Sequence, residues 1–303
     1  MGCGNSKTAE IRKPCSSKYS YPECYYTYQS NQPITSITSI ESTHLLFGTK
    51  GEIVLYDFTA KSATLTFKEH KGRVNCLKKL KDNQFISAGQ DKLIKLWDLN
   101  KTESLCTLEG HTSMIWTLQE LKDNKIASGA DDKKLIIWDL NEKKQDCILD
   151  TEKSEINSLL YLQSGQLISG YGSGKVKIWD IDNKKIINEF NCDFGVWNMI
   201  ELYNGKIALG IGNGEIQIWD INNLKCEHKL TGGHTQPINA LLEINEGIIV
   251  SASDENDMIL WNLEDIDTKH ILKGHNGPIT GLCLLSENKF ASSSKDKTIK
   301  LWQ

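Results

Sequence analysis

The chain has 303 residues, 39% of them hydrophobic and 24% charged, with a formal net charge of -4 and a pI near 6.0, which is long enough for two average domains or one large one. That acidic balance argues against a general nucleic-acid binder, which needs a basic face to displace counterions from phosphates. Nine cysteines without a CxxC pair fit neither a disulfide framework nor a zinc site and point to a reducing compartment. No run approaches the roughly eighteen apolar residues of a helical span, and the first thirty residues hold no hydrophobic signal segment, so neither is expected.

In chain order the first element is the opening MGCGNSK. Gly2 becomes terminal when Met1 is removed, three residues intervene, and Ser6 follows, which is the N-myristoylation pattern. A single myristoyl chain binds membrane only marginally, with an association constant of roughly 10,000 per molar. A second signal is needed, and Cys3 is the expected palmitoylation site. Lys7, Arg12, Lys13 and Lys18 outnumber Glu10 and favour an anionic leaflet by about 1 kcal/mol per charge held near it. The expected location is the cytoplasmic face of a membrane, peripheral and held by lipid.

Beyond the opening the chain repeats itself. HKGRVNCLKKLKDNQFISAGQDKLIKLWDL, from His70, lies over HTSMIWTLQELKDNKIASGADDKKLIIWDL, from His111, without a gap. Aromatic-acid pairs recur at Tyr56-Asp57, Trp97-Asp98, Trp138-Asp139, Trp179-Asp180 and Trp219-Asp220, followed by Trp261-Asn262 and Trp302-Gln303, at spacings of 41, 41, 41, 40, 42 and 41. Within each unit, runs rich in β-formers such as Phe85 to Ala88 and Leu93 to Trp97 are separated by turn residues like Gly89, Gln90 and Asp91. That is strand-turn-strand chemistry.

These units resemble the WD-repeat family of β-propellers over about nine-tenths of the chain. The resemblance implies an all-β, seven-bladed β-propeller of four-stranded antiparallel blades. It also implies a hydrogen-bonded network of His, Ser, Asp and Trp inside a blade. The full set occurs as His70, Ser87, Asp91 and Trp97; as His111, Ser128, Asp132 and Trp138; and as His275, Ser292, Asp296 and Trp302. A fourth unit has His234, Ser251 and Trp261 with Glu255 in place of Asp. Three units depart from the set, at Glu152 and Ser173, at Cys192, Leu209 and Asn213, and at Ser30, Leu46 and Lys50, and are expected to rely on packing and turns. The chain stops at Trp302-Gln303, one strand short of a seventh blade. Aligning Ser30 with His275 puts Tyr25 to Tyr28 where the missing outermost strand belongs, so an N-terminal strand is expected to close the ring and bury an otherwise unpaired edge. The organisation expected is a flexible, lipidated tail over 1–23 and a propeller over 24–303.

Histidines in the repeat register read as structural. The stretches GYGSGKVKI and GIGNGEI invite a phosphate-loop reading, but they recur one unit apart at a hairpin and no helix follows. The repeat explains six of eight tryptophans and leaves Trp116 and Trp197, each five residues after the histidine register. The resemblance puts that position, and the one two residues earlier, on the top face around the central channel. The partner-binding residues so mapped are Arg73 and Asn75, Met114 and Trp116, Glu155 and Asn157, Gly195 and Trp197, Pro237 and Asn239, and Pro278 and Thr280. Gln90, Asp131, Asp254 and Lys295 are mapped to the rim.

The function expected is a non-enzymatic scaffold or adaptor that binds protein partners, as peptides or loops, on the top face. Catalytic residues, metal, cofactor, nucleic acid and small-molecule substrate are not expected. The alternatives are a regulatory or substrate-recognition subunit of a larger complex and a propeller hydrolase.

Overall fold

A computed structural model describes residues 21–41 and 43–303; the expectations for Gly2 and Cys3 lie outside the described residues. Among the described residues, 28 strands form seven antiparallel sheets of four, with no helix. We number the blades 1 to 7 over residues 36–67, 74–108, 115–151, 156–191, 196–230, 238–272 and 279–302. The innermost strand of each blade touches those of both neighbours, and blade 7 touches blade 1, so the blades form a ring.

Both faces of a blade are covered, which explains the hydrophobic pattern. A strand buried on two faces needs apolar side chains at consecutive positions rather than alternate ones. The second and third strands of blade 3, Lys125–Ala130 and Lys134–Asp139, are buried apart from their end residues. The outer strand of blade 4, Lys185–Asn191, reads KIINEFN and is mostly exposed. The core is accordingly divided among the blade interfaces. In one layer Leu96 and Leu108 of blade 2 meet Ile115, Ile136 and Trp138 of blade 3. Each such large side chain removed from water contributes about 1.5–3 kcal/mol.

The ring closes through the strand Cys24–Gln29, which adds to Thr298–Trp302 as the outermost strand of blade 7. Tyr28 stands opposite Ile299 and Tyr26 opposite Leu301, and Glu23 and Gln303 exchange backbone hydrogen bonds of 2.9 and 3.1 Å. Tyr26 and Tyr28 reach across to blade 1. Their hydroxyl and ring meet Tyr56 at 2.6 Å and at a centroid distance of 4.4 Å. Before that strand, Tyr21 stacks on His270 at 3.8 Å.

In blade 3 the indole Nε1 of Trp138 donates to Ser128 Oγ (2.8 Å), which leaves the serine proton for His111 Nε2 (2.7 Å). His111 Nδ1 then carries the ring proton and donates to Asp132, 3.0 Å away. Burial lowers the His111 pKa and keeps the ring neutral. Burial works against the Asp132 carboxylate, yet the Thr112 N–H and His111 outweigh it and hold its pKa down. The same bonds link His70, Ser87, Asp91 and Trp97 in blade 2, and His275, Ser292, Asp296 and Trp302 in blade 7. In blade 6 Glu255 takes the place of Asp and accepts from His234 Nδ1 at 2.8 Å.

In two of the three departing blades, expected to rely on packing and turns, other polar groups add to that packing. In blade 4 Ser169 accepts from Trp179, and Tyr171 donates to Asp150, which also pairs with the buried Lys177 at 2.8 Å. Asp150 belongs to the outer strand of blade 3, so this substitute network ties two blades together. In blade 5 Gln217 Oε1 accepts from Trp219 Nε1 at 2.9 Å, and Phe190 stacks on that indole at 4.1 Å. The turn chemistry changes in parallel. Lys92, Lys133 and Lys297 sit at positive φ just after the network Asp, whereas blades 1, 4 and 5 have Gly51, Gly174 and Gly214 at that position. Glycine takes positive φ without steric cost, and the aspartates offset that cost for lysine by accepting turn N–H groups, as Asp132 does from Lys134.

Candidate functional site

Six of the seven innermost strands share one irregularity. Pairing slips between Val74 and Cys76, Ile115 and Thr117, Ile156 and Ser158, Val196 and Asn198, Ile238 and Ala240, and Ile279 and Gly281. A bulge leaves its extra residue out of the ladder and re-aims its side chain. The extra residues are Asn75, Trp116, Asn157, Trp197, Asn239 and Thr280, and all six line a central channel of about 770 Å³. Sequence register therefore located a real geometric device.

Four bulge-level side chains staple one blade to the next. Asn75 Nδ2 donates to Ile115 O (2.9 Å) and Asn239 Nδ2 to Ile279 O (3.4 Å). Thr280 Oγ1 donates to Ile34 O (2.9 Å), and Thr35, the blade 1 counterpart, to Val74 O (2.6 Å). The arc over blades 3 to 5 is different. Trp116 and Trp197 replace the stapling residues there, and Asn157 between them is 8% exposed with a buried Nδ2 that has no partner among the described residues. A buried donor left without an acceptor costs about 1–3 kcal/mol, so its presence calls for a reason.

The two tryptophans differ. Trp116 Nε1 donates to Asp131 Oδ1 at 2.5 Å, which fixes the indole against the rim. Trp197 is 37% exposed, and its Nε1 lies over Gly212, the position that matches Asp131. Among the described residues it finds no acceptor. Phe194, three residues earlier, is 52% exposed and adds a second aromatic surface at this end of blade 5.

Arg73, Asp254 and Lys295 also belong to the channel wall, the last two paired at 3.4 Å. The remaining mapped residues sit beside the wall. Gln90 Oε1 accepts from the Arg73 N–H, the Met114 carbonyl accepts from the Asp131 N–H, and Glu155 Oε2 accepts from the Ser154 hydroxyl. Farther along the channel Lys78 Nζ donates to Gln119 Oε1 at 3.2 Å, and burial lowers the Lys78 pKa. Among the described residues no cluster of three or more His, Cys, Asp or Glu side chains could hold a metal ion. The glycine-rich stretches are hairpin turns with Gly174 and Gly214 at φ 88° and 86°.

Sequence register missed Phe194, which sits in an irregular loop outside the periodic positions. It also missed the meaning of Gly172 and Gly212. Both stand at the rim position held by Gln90 and Asp131 elsewhere, a signal that was legible as the absence of a side chain.

Comparison with known proteins comes to the same architecture. The sequence profile described as WDR41, a β-propeller, matches residues 58–269, and that of the WD domain, G-beta repeat, matches residues 267–303. The ribosome biogenesis protein YTM1 of Candida glabrata is 31% identical over 94 residues, 24% of this chain and 21% of that protein. The F-box/WD repeat-containing protein sel-10 of Caenorhabditis elegans is 32% identical over 73 residues, 24% of this chain and 12% of that protein. The periodic tryptophan protein 2 homolog of Mus musculus is 38% identical over 61 residues, 19% of this chain and 7% of that protein. The chain thus spans about a fifth or less of the length of these relatives.

Proposed function

Since the chain belongs to the WDR41 β-propeller family, we propose that it is a non-enzymatic scaffold whose partners dock on the end of the channel framed by Trp116 and Trp197. Members of the WD-repeat family bind other proteins, and the coarse role of interaction platform follows from membership. The finer assignment rests on the bulged tryptophans. Four other blades use a stapling Asn or Thr at that level, and a large indole held toward open space is a typical interface anchor. Truncation of such an anchor commonly costs about 2 kcal/mol, roughly thirtyfold in affinity. Affinity capture from cells with wild type and with a Trp116→Ala/Trp197→Ala double variant tests this. Partners lost while thermal unfolding is retained support the reading; undiminished capture moves the binding surface elsewhere.

The second part of the proposal is a tether. Myristate on Gly2 and palmitate on Cys3 together hold the scaffold on the cytoplasmic face of a membrane, because one chain alone binds only transiently. Support comes from the sequence MGCGNSK and from the basic residues that follow. In fractionated cells Gly2→Ala becomes fully soluble, and Cys3→Ser keeps its myristate but binds weakly and reversibly. A wild-type protein that is wholly soluble, with no acyl mass on its N-terminal peptide, overturns the tether and leaves the scaffold reading intact.

A further inference from the structure

Blade 3 contains a template for what blade 5 lacks. In blade 3 the bulged Trp116 gives its indole proton to the Asp131 carboxylate at 2.5 Å. In blade 5 the bulged Trp197 lays its indole edge against Gly212, and among the described residues no side chain accepts its proton. A Cβ built on Gly212 would stand 3.1 Å from Trp197 Nε1, so the glycine is what lets the indole lie there, and its donor is left to an acceptor from outside the blade. In the adjoining blade the buried Asn157 Nδ2 is a second donor without an acceptor. The channel wall as a whole leans positive, with Arg73, Lys78 and Lys295 against Asp254 and Glu201; Asp254 is paired with Lys295, Glu201 accepts from the Gln163 N–H, and the Glu155 carboxylate lies over Gly172 in the adjoining blade. Phe194, three residues before Trp197 in the chain and half exposed, offers an apolar surface on the same loop.

We propose that the notch over Gly212 receives an acidic side chain of a protein partner, whose carboxylate takes from Trp197 the hydrogen bond that Asp131 takes from Trp116, with an apolar neighbour covering Phe194. This rests on the top-face reading above and names what that face recognises. The hydrogen bond to a charged acceptor is worth about tenfold or more in affinity.

The test uses the full chain and two pools of capped fluorescent peptides. One pool has aspartate or glutamate beside leucine or phenylalanine, and the other has asparagine or glutamine in place of the acids. Fluorescence anisotropy should show the acidic pool binding at least about tenfold more tightly. Trp197→Phe, which keeps a ring and removes the donor, should erase that preference, and Trp116→Phe should preserve it. Gly212→Asp supplies the carboxylate from within and should block the acidic pool. In its free form the Trp197 indole N–H resonance should move toward that of Trp116, the indole shifting by a few tenths of an ångström to admit the new Cβ while the fold is retained. Equal binding of both pools, no binding of either, or full binding by Gly212→Asp overturns the inference. If Trp197→Ala abolishes binding while Trp197→Phe and Gly212→Asp do not, the top-face reading survives and the carboxylate does not. If Trp116→Ala and Trp197→Ala both bind like wild type, both readings fall.

Discussion

Blades 3 and 5 have nearly the same backbone and opposite chemistry. Blade 3 closes its buried polar groups on one another, from Trp138 through Ser128 and His111 to Asp132, and fixes Trp116 on Asp131 at the rim. Blade 5 puts Leu209 where Ser128 stands, Cys192 where His111 stands and Gly212 where Asp131 stands. It holds Trp219 with one amide and one stacked ring, and leaves Trp197 partly exposed with its donor unused. The difference shows that the network is one of several ways to lock a blade. A blade locked by packing can spare its rim for a visitor.

The largest break in that comparison is at Leu209. Leu209→Ala removes fully buried packing in blade 5 and should cost about 3–5 kcal/mol in denaturant unfolding. Ser128→Ala, at the matching place in blade 3, deletes few contacts but strands His111 Nε2 and Trp138 Nε1, for an expected loss of about 2–4 kcal/mol. If Ser128→Ala costs under about half a kilocalorie, the network is ornamental and blade 3 is held by packing too.

Acid sharpens the comparison further. Burial holds the pKa values of His111 and His275 below the ordinary 6.5. Burial opposes the Asp296 carboxylate, but the Thr298 hydroxyl, the Asn276 N–H and His275 bring its pKa down to about 2. In each case the unfolded chain binds the proton more readily, so stability rises with pH across the interval. The histidine contribution is present above about pH 6.5 and lost as the pH falls through the lowered folded value. That of Asp296 is present above the ordinary carboxylate value of 3.8 and lost as the pH falls toward about 2. A His111→Gln/His275→Gln variant should show a flatter loss of stability between about pH 7 and 4 than wild type. An unchanged slope would place the acid sensitivity in groups other than these two histidines.

The smallest effect is at the turn. Lys133→Gly in blade 3 relieves a lysine at φ 67° and should change stability by less than about 1 kcal/mol. Gly214→Ala in blade 5 should be clearly worse, since its Cβ would meet the His234 carbonyl oxygen at 2.5 Å. Equal outcomes would mean that the two turns are interchangeable.

Much of the blade architecture was legible because the period is written in the chain at about 41 residues, and a tryptophan or tyrosine marks every third strand. The bulge residues were legible for the same reason, by counting five places from each histidine or from Glu152 and Cys192, which stand at that register in blades 4 and 5. What escaped came from pairs that the period does not relate. Asp150 reaches Tyr171 and Lys177 from the preceding blade, and Gln217 serves Trp219 from two residues away. Neither occupies a network position. Gly212 read as a turn residue; its lack of a side chain was visible in the register, but its meaning emerged only once the Trp197 donor beside it was placed.

The strand Cys24–Gln29 has a consequence for the order of assembly. It is synthesised before every blade, yet its partner Thr298–Trp302 is made last, and the hydrogen bond from Lys300 to Thr27 spans 273 residues. Until the final strand leaves the ribosome, that first segment has no ladder to join and carries three tyrosines into solution. Long-range pairing of this kind slows folding, and an unpaired strand edge is a template for wrong partners. The nascent chain therefore carries its clasp unpaired while the blades are made, and a chaperone that shelters residues 24–29 would guard the strand on which closure of the ring depends.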